Sequence, residues 1–349
     1  MHTTSGTLGF EFPDIERPPV REPSWLKDLR QQSQATWDRL RKVGEQPRHH
    51  LSAHATYVNS DVLQWLSQLP SNSIQAVVTD PPYGMVEYNQ ENHQKLRRGK
   101  GGVWRIPPSF DGATRRPVPR FTVLSREEMV NLHRFFRSVA LGLFRVLVPG
   151  GHVFVASNPL VSTTTFNAVM ECGFEKRGEI IRLIQTLRGG DRPKGAEDDF
   201  PHVTVMPRSC WEPWGIFRKP FEGTVAANLR AWGTGGLRRI SGQEPFKDVI
   251  QCSPTRGAEK ELAPHPSLKP QRFVRRLVRA ALPLGVGIVY DPFAGSGSTL
   301  AAAEAIGYYS LGTDSDSEYF LMAQRAFAAL SSLQVGDKNE QRSGRTESS

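Results

Sequence analysis

Cysteine is scarce in this chain: 349 residues hold three, Cys172, Cys210 and Cys252, and none sits in a CxxC spacing. A disulfide framework is thereby excluded, no zinc ligand set is offered, and no metal is expected. A reducing, cytoplasmic setting fits. Long apolar runs are missing too, since no stretch approaches the ~18 consecutive apolar residues of a membrane span. The first residues carry Glu11, Asp14 and Glu16 among prolines rather than an apolar signal core, so neither secretion nor membrane insertion is expected. No internal repeat of useful length occurs.

What is present is enough apolar residue for a sizeable core. Hydrophobic residues make up 38% and charged residues 23%, which suits one large α/β domain with an insertion, or two small domains. The formal charge is +9, and such a surplus makes a polyanion the natural large partner. Residues 1–50 read as a Pro- and charge-rich arm followed by one helix over 25–43, where Leu26, Leu29, Trp37 and Leu40 recur at three- and four-residue spacing. Strands and helices alternate over 51–184, interrupted by a basic stretch at 85–121. Residues 185–264 are irregular and rich in Gly, Pro, Arg and Trp. The alternation resumes over 265–331, and 332–349 form a polar tail expected to be disordered.

Two short stretches carry the chemistry. The first, TDPPYG at residues 79–84, follows the apolar run 74–78. Prolines lack a backbone donor and restrict the residue before them, so a strand ends here, with Asp80 at its carboxyl edge and Tyr83 on a stiff turn. By itself this is also what an ordinary strand stop looks like. The second, DPFAGSGST at residues 291–299, lies between the apolar run 288–290 and an alanine-rich helix. Strand, glycine turn and helix in that order open a doubly wound sheet and let a ligand approach the backbone. A second strand, 309–313, ends in Asp314, about 20 residues further on, where an acid accepts hydrogen bonds from ribose hydroxyls. The turn lacks the full GxGxxG of a dinucleotide fingerprint and the lysine of a phosphate loop, so a small nucleoside-like ligand fits better than NAD or ATP.

Together these stretches resemble the permuted, β-class amino-methyltransferases of DNA, in which DPPY precedes FxGxG in the chain. DPPY is Asp80, Pro81, Pro82 and Tyr83, and FxGxG runs from Phe293 to Gly297. The lead-in NSDVLQWLSQLPSNS at 59–73, the turn and strand PGGHVFV at 149–155, and HPSLKP at 265–270 are similar to further family elements. The resemblance covers about residues 54–330, apart from the two irregular segments.

It implies a Rossmann-like α/β fold: a doubly wound, mostly parallel sheet in circularly permuted motif order, with an inserted target-recognition region. It also implies methyl transfer from S-adenosylmethionine to an exocyclic base amine in double-stranded DNA. Such an amine is a poor nucleophile because its lone pair is delocalised into the ring. Asp80 and the Pro81 carbonyl are the implied acceptors of its hydrogens, Pro82 stiffens the turn, and Tyr83 stacks on a base rotated out of the duplex. On the cofactor side, Asp291 is expected near the methionine amino group, with Phe293, Gly295, Gly297 and Thr299 shaping the loop beneath it. Asp314 is placed at the ribose and Asp61 near the adenine. His265 and Lys269 are expected at the cofactor carboxylate, with Lys269 alternatively opening the next helix. In that helix Arg272, Arg275, Arg276 and Arg279 share one face, expected to be solvated rather than bound to phosphate.

DNA contacts are expected from both irregular segments. Arg97, Arg98, Lys100, Arg115 and Arg116 lie in 85–121, which reads as a loop closing over DNA or as a solvated loop. Arg218, Arg238 and Arg239 lie in 185–264, interleaved with aromatics, of which Trp211 and Trp214 are expected to form a small core. A cytosine-C5 enzyme is set aside because no cysteine follows a proline. Asp80 favours adenine N6, since relatives with serine there tend to be of the cytosine-N4 type. Cytosine N4, a catalytically silent DNA-binding protein and an RNA methyltransferase stand as alternatives. A homodimer and a companion restriction nuclease or phage-defence components are family habits that no residue here specifies.

Overall fold

A computed structural model describes residues 22–84, 124–184, 189–253, 255, 257–263 and 268–335. Their elements are α1 (Ser24–Leu40), β1 (Arg48–His50), β2 (Ala55–Asn59), α2 (Val62–Gln68), β3 (Ile74–Thr79), α3 (Arg126–Val146), β4 (Leu147–Ala156), α4 (Ser162–Met170) and β5 (Glu175–Leu183). There follow β6 (Trp211–Arg218), α5 (Val225–Trp232), β7 (Val249–Gln251), α6 (Ala258–Leu262), α7 (Gln271–Ala281), β8 (Ile288–Asp291), α8 (Ser298–Ala305), β9 (Tyr309–Asp314) and α9 (Ser317–Ser332).

One sheet takes all nine strands in the order β1-β2-β9-β8-β3-β4-β6-β5-β7. From β2 to β4 neighbours run parallel, and β6 is inserted antiparallel to both β4 and β5. The strands of the parallel block are buried on both faces. All four residues of β8 are buried, and five of six in β3, which is why their sequences are continuous apolar runs rather than alternating ones. Alternation of side chains still decides where each points. Val77 joins a core with Trp37, Trp65 and Leu143 on one face, while Ala76 and Val78 join Phe273, Leu277 and Ala302 on the other. Trp37 and Trp65 are fully buried; at ~25 cal/mol per Å² such a side chain contributes about 4–6 kcal/mol.

Helix α3 shows how the local sequence sets a boundary. The Ser125 hydroxyl accepts from Glu128 N, and Ser125 N donates to Glu128 Oε2 at 2.6 Å, a reciprocal cap. Leu132, Phe136, Val139, Ala140 and Leu143 then fall on the buried face at three- and four-residue steps.

Two features place the functional edge. The chain leaves β8 for β9 on one side and β3 for β4 on the other, so β8 and β3 form a topological switch point, where a crevice opens at the carboxyl ends. Also, the segment 185–264, which composition reads as irregular, contributes strands to the main sheet. It supplies β6, an interior strand of the main sheet, and β7 at its edge. Gly, Pro and Arg mask the strand signal there, and only the ladders to β4 and β5 reveal it.

Candidate active site

The last residue of β3, Thr79, hands the chain to Asp80, Pro81, Pro82 and Tyr83 at the switch point. Pro81 is buried, Pro82 exposed and Tyr83 half-buried. The Tyr83 hydroxyl donates to Asp80 Oδ1 at 2.7 Å, so the turn folds its aromatic back onto its own acid. Gly84 closes the turn at φ 69°, where a Cβ would meet Leu132 Cδ1 at 2.6 Å.

Asp80 Oδ2 faces a cation. Lys269 Nζ lies 2.9 Å from it and 3.3 Å from Glu212 Oε2. Glu212 in turn sits 3.4 Å from Arg182 Nη1 and accepts from Trp214 Nε1 at 2.7 Å. Arg182, 3% exposed, also donates to the Cys252 and Ser253 carbonyls at 3.2 and 3.0 Å and lies over the Phe273 ring. Two acids and two bases thus form a chain from the turn after β3 into β5 and β6. Burial pushes the Asp80 carboxyl up and the Glu212 charge adds to this, with Lys269 and Tyr83 only partly offsetting both. Burial works on Glu212 as well, but two cations, Lys269 and Arg182, outweigh it and hold that carboxyl below its ordinary range. Lys269 stays protonated: desolvation is outweighed by the two carboxylates.

Beside this chain lies the glycine turn. Asp291, at the end of β8, accepts from the Thr79 hydroxyl at 2.6 Å and from Phe293 N at 3.1 Å, stitching the two strand ends together. Burial lifts its carboxyl to about 7, against hydrogen bonds from Thr299, Thr79 and Phe293 that lower it. Gly297 caps α8 at φ 81°. Gly295 N donates to Asp314 Oδ2 at 3.0 Å, Asp316 N to Asp314 Oδ1 at 3.0 Å, and Tyr57 OH to the Gly295 carbonyl at 2.7 Å. Burial raises Asp314 despite the backbone donors it accepts. The neighbouring strand must also be bare: a Cβ on Gly312 would lie 2.6 Å from Leu300 Cδ1 and 2.9 Å from Ala294 Cβ.

A small, partly open cleft of about 40 Å³ lies between the two motifs, lined among others by Asp80, Lys269, Asp291, Phe293, Gly295 and Ser298. Ser298 Oγ is buried there without a hydrogen-bond partner among the described residues. A bare glycine backbone, an orphaned hydroxyl and two acids fit a ligand carrying an amine and ribose hydroxyls, as S-adenosylmethionine does.

The fold thus brings Asp80, Pro81, Tyr83, Lys269, Asp291, Phe293, Gly295, Gly297, Thr299 and Asp314 to one edge. Asp61 reaches the same edge, since Asn59 of β2 pairs in register with Asp314, but its carboxylate caps α2 through Leu63 N and Gln64 N. Lys269, expected at a cofactor carboxylate or as a helix opener, stands one residue before Pro270, the N-cap of α7, and its ammonium meets two carboxylates of the protein. His265, and Arg97, Arg98, Lys100, Arg115 and Arg116, lie outside the described residues. Of the other arginines, Arg218 contacts Glu175 at 2.5 Å, the Gly235 carbonyl and the Phe221 ring. Arg238 donates to Tyr308 OH, and Arg239 to the Ser241 and Gln243 carbonyls. These contacts are internal to the fold. Arg275 likewise caps α9 through the Leu330, Ser331 and Leu333 carbonyls, a use of the basic face distinct from both solvation and phosphate contact. Trp214 is fully buried, as expected of a core residue, but in the main core rather than a satellite. Sequence reasoning missed Arg182 and Glu212. Their signal was a charge within an otherwise apolar strand, Glu212 in WEPWGIF.

A family model described as DNA methylase, covering N6 and N4 enzymes, matches residues 217–325. The chain is 31% identical to the type II methyltransferase M2.DpnII of Streptococcus pneumoniae, over 78% of this chain and 89% of that one. It is 32% identical to M2.LlaDCHI of Lactococcus lactis subsp. cremoris, over 78% and 88%. Among solved structures, the PvuII DNA methyltransferase (cytosine-N4-specific) shares the fold at TM-score 0.51 and 16% identity, covering 87% of this chain and 94% of that one. The chain therefore belongs to the N6/N4 DNA methylase family and is a DNA methyltransferase that uses S-adenosylmethionine.

Proposed function

We propose that this enzyme methylates the exocyclic N6 amine of an adenine rotated out of duplex DNA. The observation that carries the reading is Asp80, held at the carboxyl edge of β3, on the cleft it shares with the glycine turn. S-adenosylmethionine supplies an electrophilic methyl group when bound. The residues of the chain then position the amine. Asp80 and the Pro81 carbonyl accept its two hydrogens and draw nitrogen toward tetrahedral geometry, which returns the lone pair to it. The two prolines make this acceptor pair rigid before substrate arrives. Asp80 takes the proton that nitrogen sheds, and its raised pKa suits that task. The half-buried Tyr83 ring offers a face for the extruded base.

On the cofactor side, Asp314 keeps lone pairs for ribose hydroxyls after accepting from Gly295 N and Asp316 N. Asp291 serves the methionine amino group, with Thr299 and Phe293 fixing it, and Asp61 stands on the adenine side. The choice of adenine over cytosine rests on Asp80 itself, because the cytosine-N4 members that this chain resembles tend to carry serine there. Arg97, Arg98, Lys100, Arg115 and Arg116, in the basic stretch 85–121, are taken as phosphate contacts.

The test is direct. The protein is incubated with labelled S-adenosylmethionine and mixed-sequence duplex DNA, the DNA is digested, and the nucleosides are identified by mass spectrometry. N6-methyldeoxyadenosine is the expected product. N4-methyldeoxycytidine would keep the mechanism and overturn the choice of base, while product only on RNA would overturn the substrate.

A further inference from the structure

Asp80 is not a vacant acceptor. Oδ1 holds the Tyr83 hydroxyl at 2.7 Å and Oδ2 holds Lys269 Nζ at 2.9 Å. Each oxygen keeps a second lone pair for an arriving amine hydrogen, but the ammonium at 2.9 Å weakens Oδ2 as an acceptor and as a base, so the group that takes up the ammonium sets how much of that strength Asp80 recovers. Glu212 is built for that. Its Oε2 lies 3.3 Å from the same nitrogen, so the ammonium need shift very little. Glu212 itself cannot follow, because Trp214 Nε1 holds Oε1 at 2.7 Å and Arg182 lies 3.4 Å from Oε2, with Arg182 anchored on the Cys252 and Ser253 carbonyls. The lysine is the flexible member: a compact charge on a four-carbon stem, beside two fixed acids.

We propose that Glu212 is a positioning residue that draws the Lys269 ammonium off Asp80 when the target amine arrives, making Lys269 a two-position latch on the catalytic carboxylate. This rests on Asp80 being the amine acceptor, but not on which base carries the amine. The latch keeps the buried charges compensated in both positions. With Lys269 bridging, one ammonium serves two acids; with Lys269 on Glu212, the amine hydrogens take over at Asp80. The charged and titratable groups facing Asp80 are Lys269, Glu212, Tyr83 and Asp291, and those facing Lys269 are Asp80, Glu212 and Arg182.

Glu212→Gln keeps the shape and removes the receiving charge. Turnover is expected to fall about tenfold or more while S-adenosylmethionine affinity changes by less than about twofold. The acid limb of the turnover–pH profile is expected to move to lower pH, since Lys269 is left wholly to Asp80 and a neighbouring negative charge is gone. Adding Lys269→Met to that variant removes the ammonium that weakens Asp80 and is expected to restore part of the turnover, whereas Glu212→Asp alone retains most of it. A merely structural role for Glu212 moves neither the limb nor the double-variant rescue. Carbon-13 carboxyl NMR of aspartate-labelled protein reads the same coupling without substrate: the Asp80 midpoint falls in Glu212→Gln and rises in Lys269→Met. Wild-type turnover in Glu212→Gln, or an Asp80 midpoint that this substitution leaves in place, overturns the latch. Absence of any methylated DNA with the wild-type protein would instead sink the reading of Asp80 as amine acceptor, and the NMR titration would still decide whether Glu212 and Asp80 share Lys269.

Discussion

Lys269 Nζ lies 2.9 Å from Asp80 Oδ2, so the first chemical motif in the chain is bound directly to the segment that opens its cofactor half. A single ion pair joins the turn after β3 to the residue before Pro270, the cap of α7. Under the proposed roles, this contact registers the methyl-acceptor and cofactor sides of the site against each other before either ligand binds, as preorganised catalysis requires.

Asp80→Ala is expected to lower turnover by about 10²–10⁴-fold, the range for loss of a positioned proton acceptor, and to leave cofactor affinity nearly intact. Steady-state methylation assays beside calorimetric titration with S-adenosylmethionine separate the two. Surviving activity would remove Asp80 from the acceptor role.

Asp291 makes stability depend on pH in a definite direction. Its carboxyl titrates at about 7 in the folded protein against 3.8 for an unperturbed aspartate. Between those values the folded chain holds a proton that the unfolded chain has released, so stability from this group is full below about 4 and is lost as pH climbs toward 7. The span corresponds to an order of about 4 kcal/mol. Asp291→Asn should flatten the slope of the urea midpoint across that window. It should also abolish a rise in S-adenosylmethionine affinity through about pH 7, where an ionised Asp291 gains attraction for the cofactor amine. A slope unchanged in the variant would assign the dependence to another group.

Gly297→Ala places a side chain in a left-handed cap at φ 81° with its Cβ 3.1 Å from Ala323 Cβ. The conformational cost is about 1–2 kcal/mol. Because relief would come by moving the turn, cofactor affinity should fall by more than this loss of stability would suggest. Thermal melting and binding titration on the same sample check it, and equal affinity would show that the turn tolerates a methyl group.

Arg218→Ala is expected to cost roughly 1–3 kcal/mol, since it strands Glu175 and the Gly235 carbonyl at the end of β6. The salt dependence of DNA affinity should keep its slope, because this guanidinium is committed within the fold. A shallower slope would return Arg218 to the DNA surface.

How far the sequence went can be read from particular residues. Runs such as IVYD and IQAVVT announce strands buried on both faces, because burial of apolar side chains needs no partner to be named in advance. DPPYG and GSG announce strand ends and a bare backbone, because proline and glycine act through their own covalent geometry. By these local signals the α/β class, Asp80, Asp291 and the glycine turn were legible. Strand β6 was not, since its Pro, Gly and Trp give no clean period and its place depends on ladders to β4 and β5. Nor were Arg182 and Glu212, or the use of Lys269, Arg218 and Arg275. A charged side chain on its own says only that it wants a partner. Which partner it finds, across segments far apart in the chain, is decided when the sheet closes and the low-dielectric edge forces every buried charge to be met.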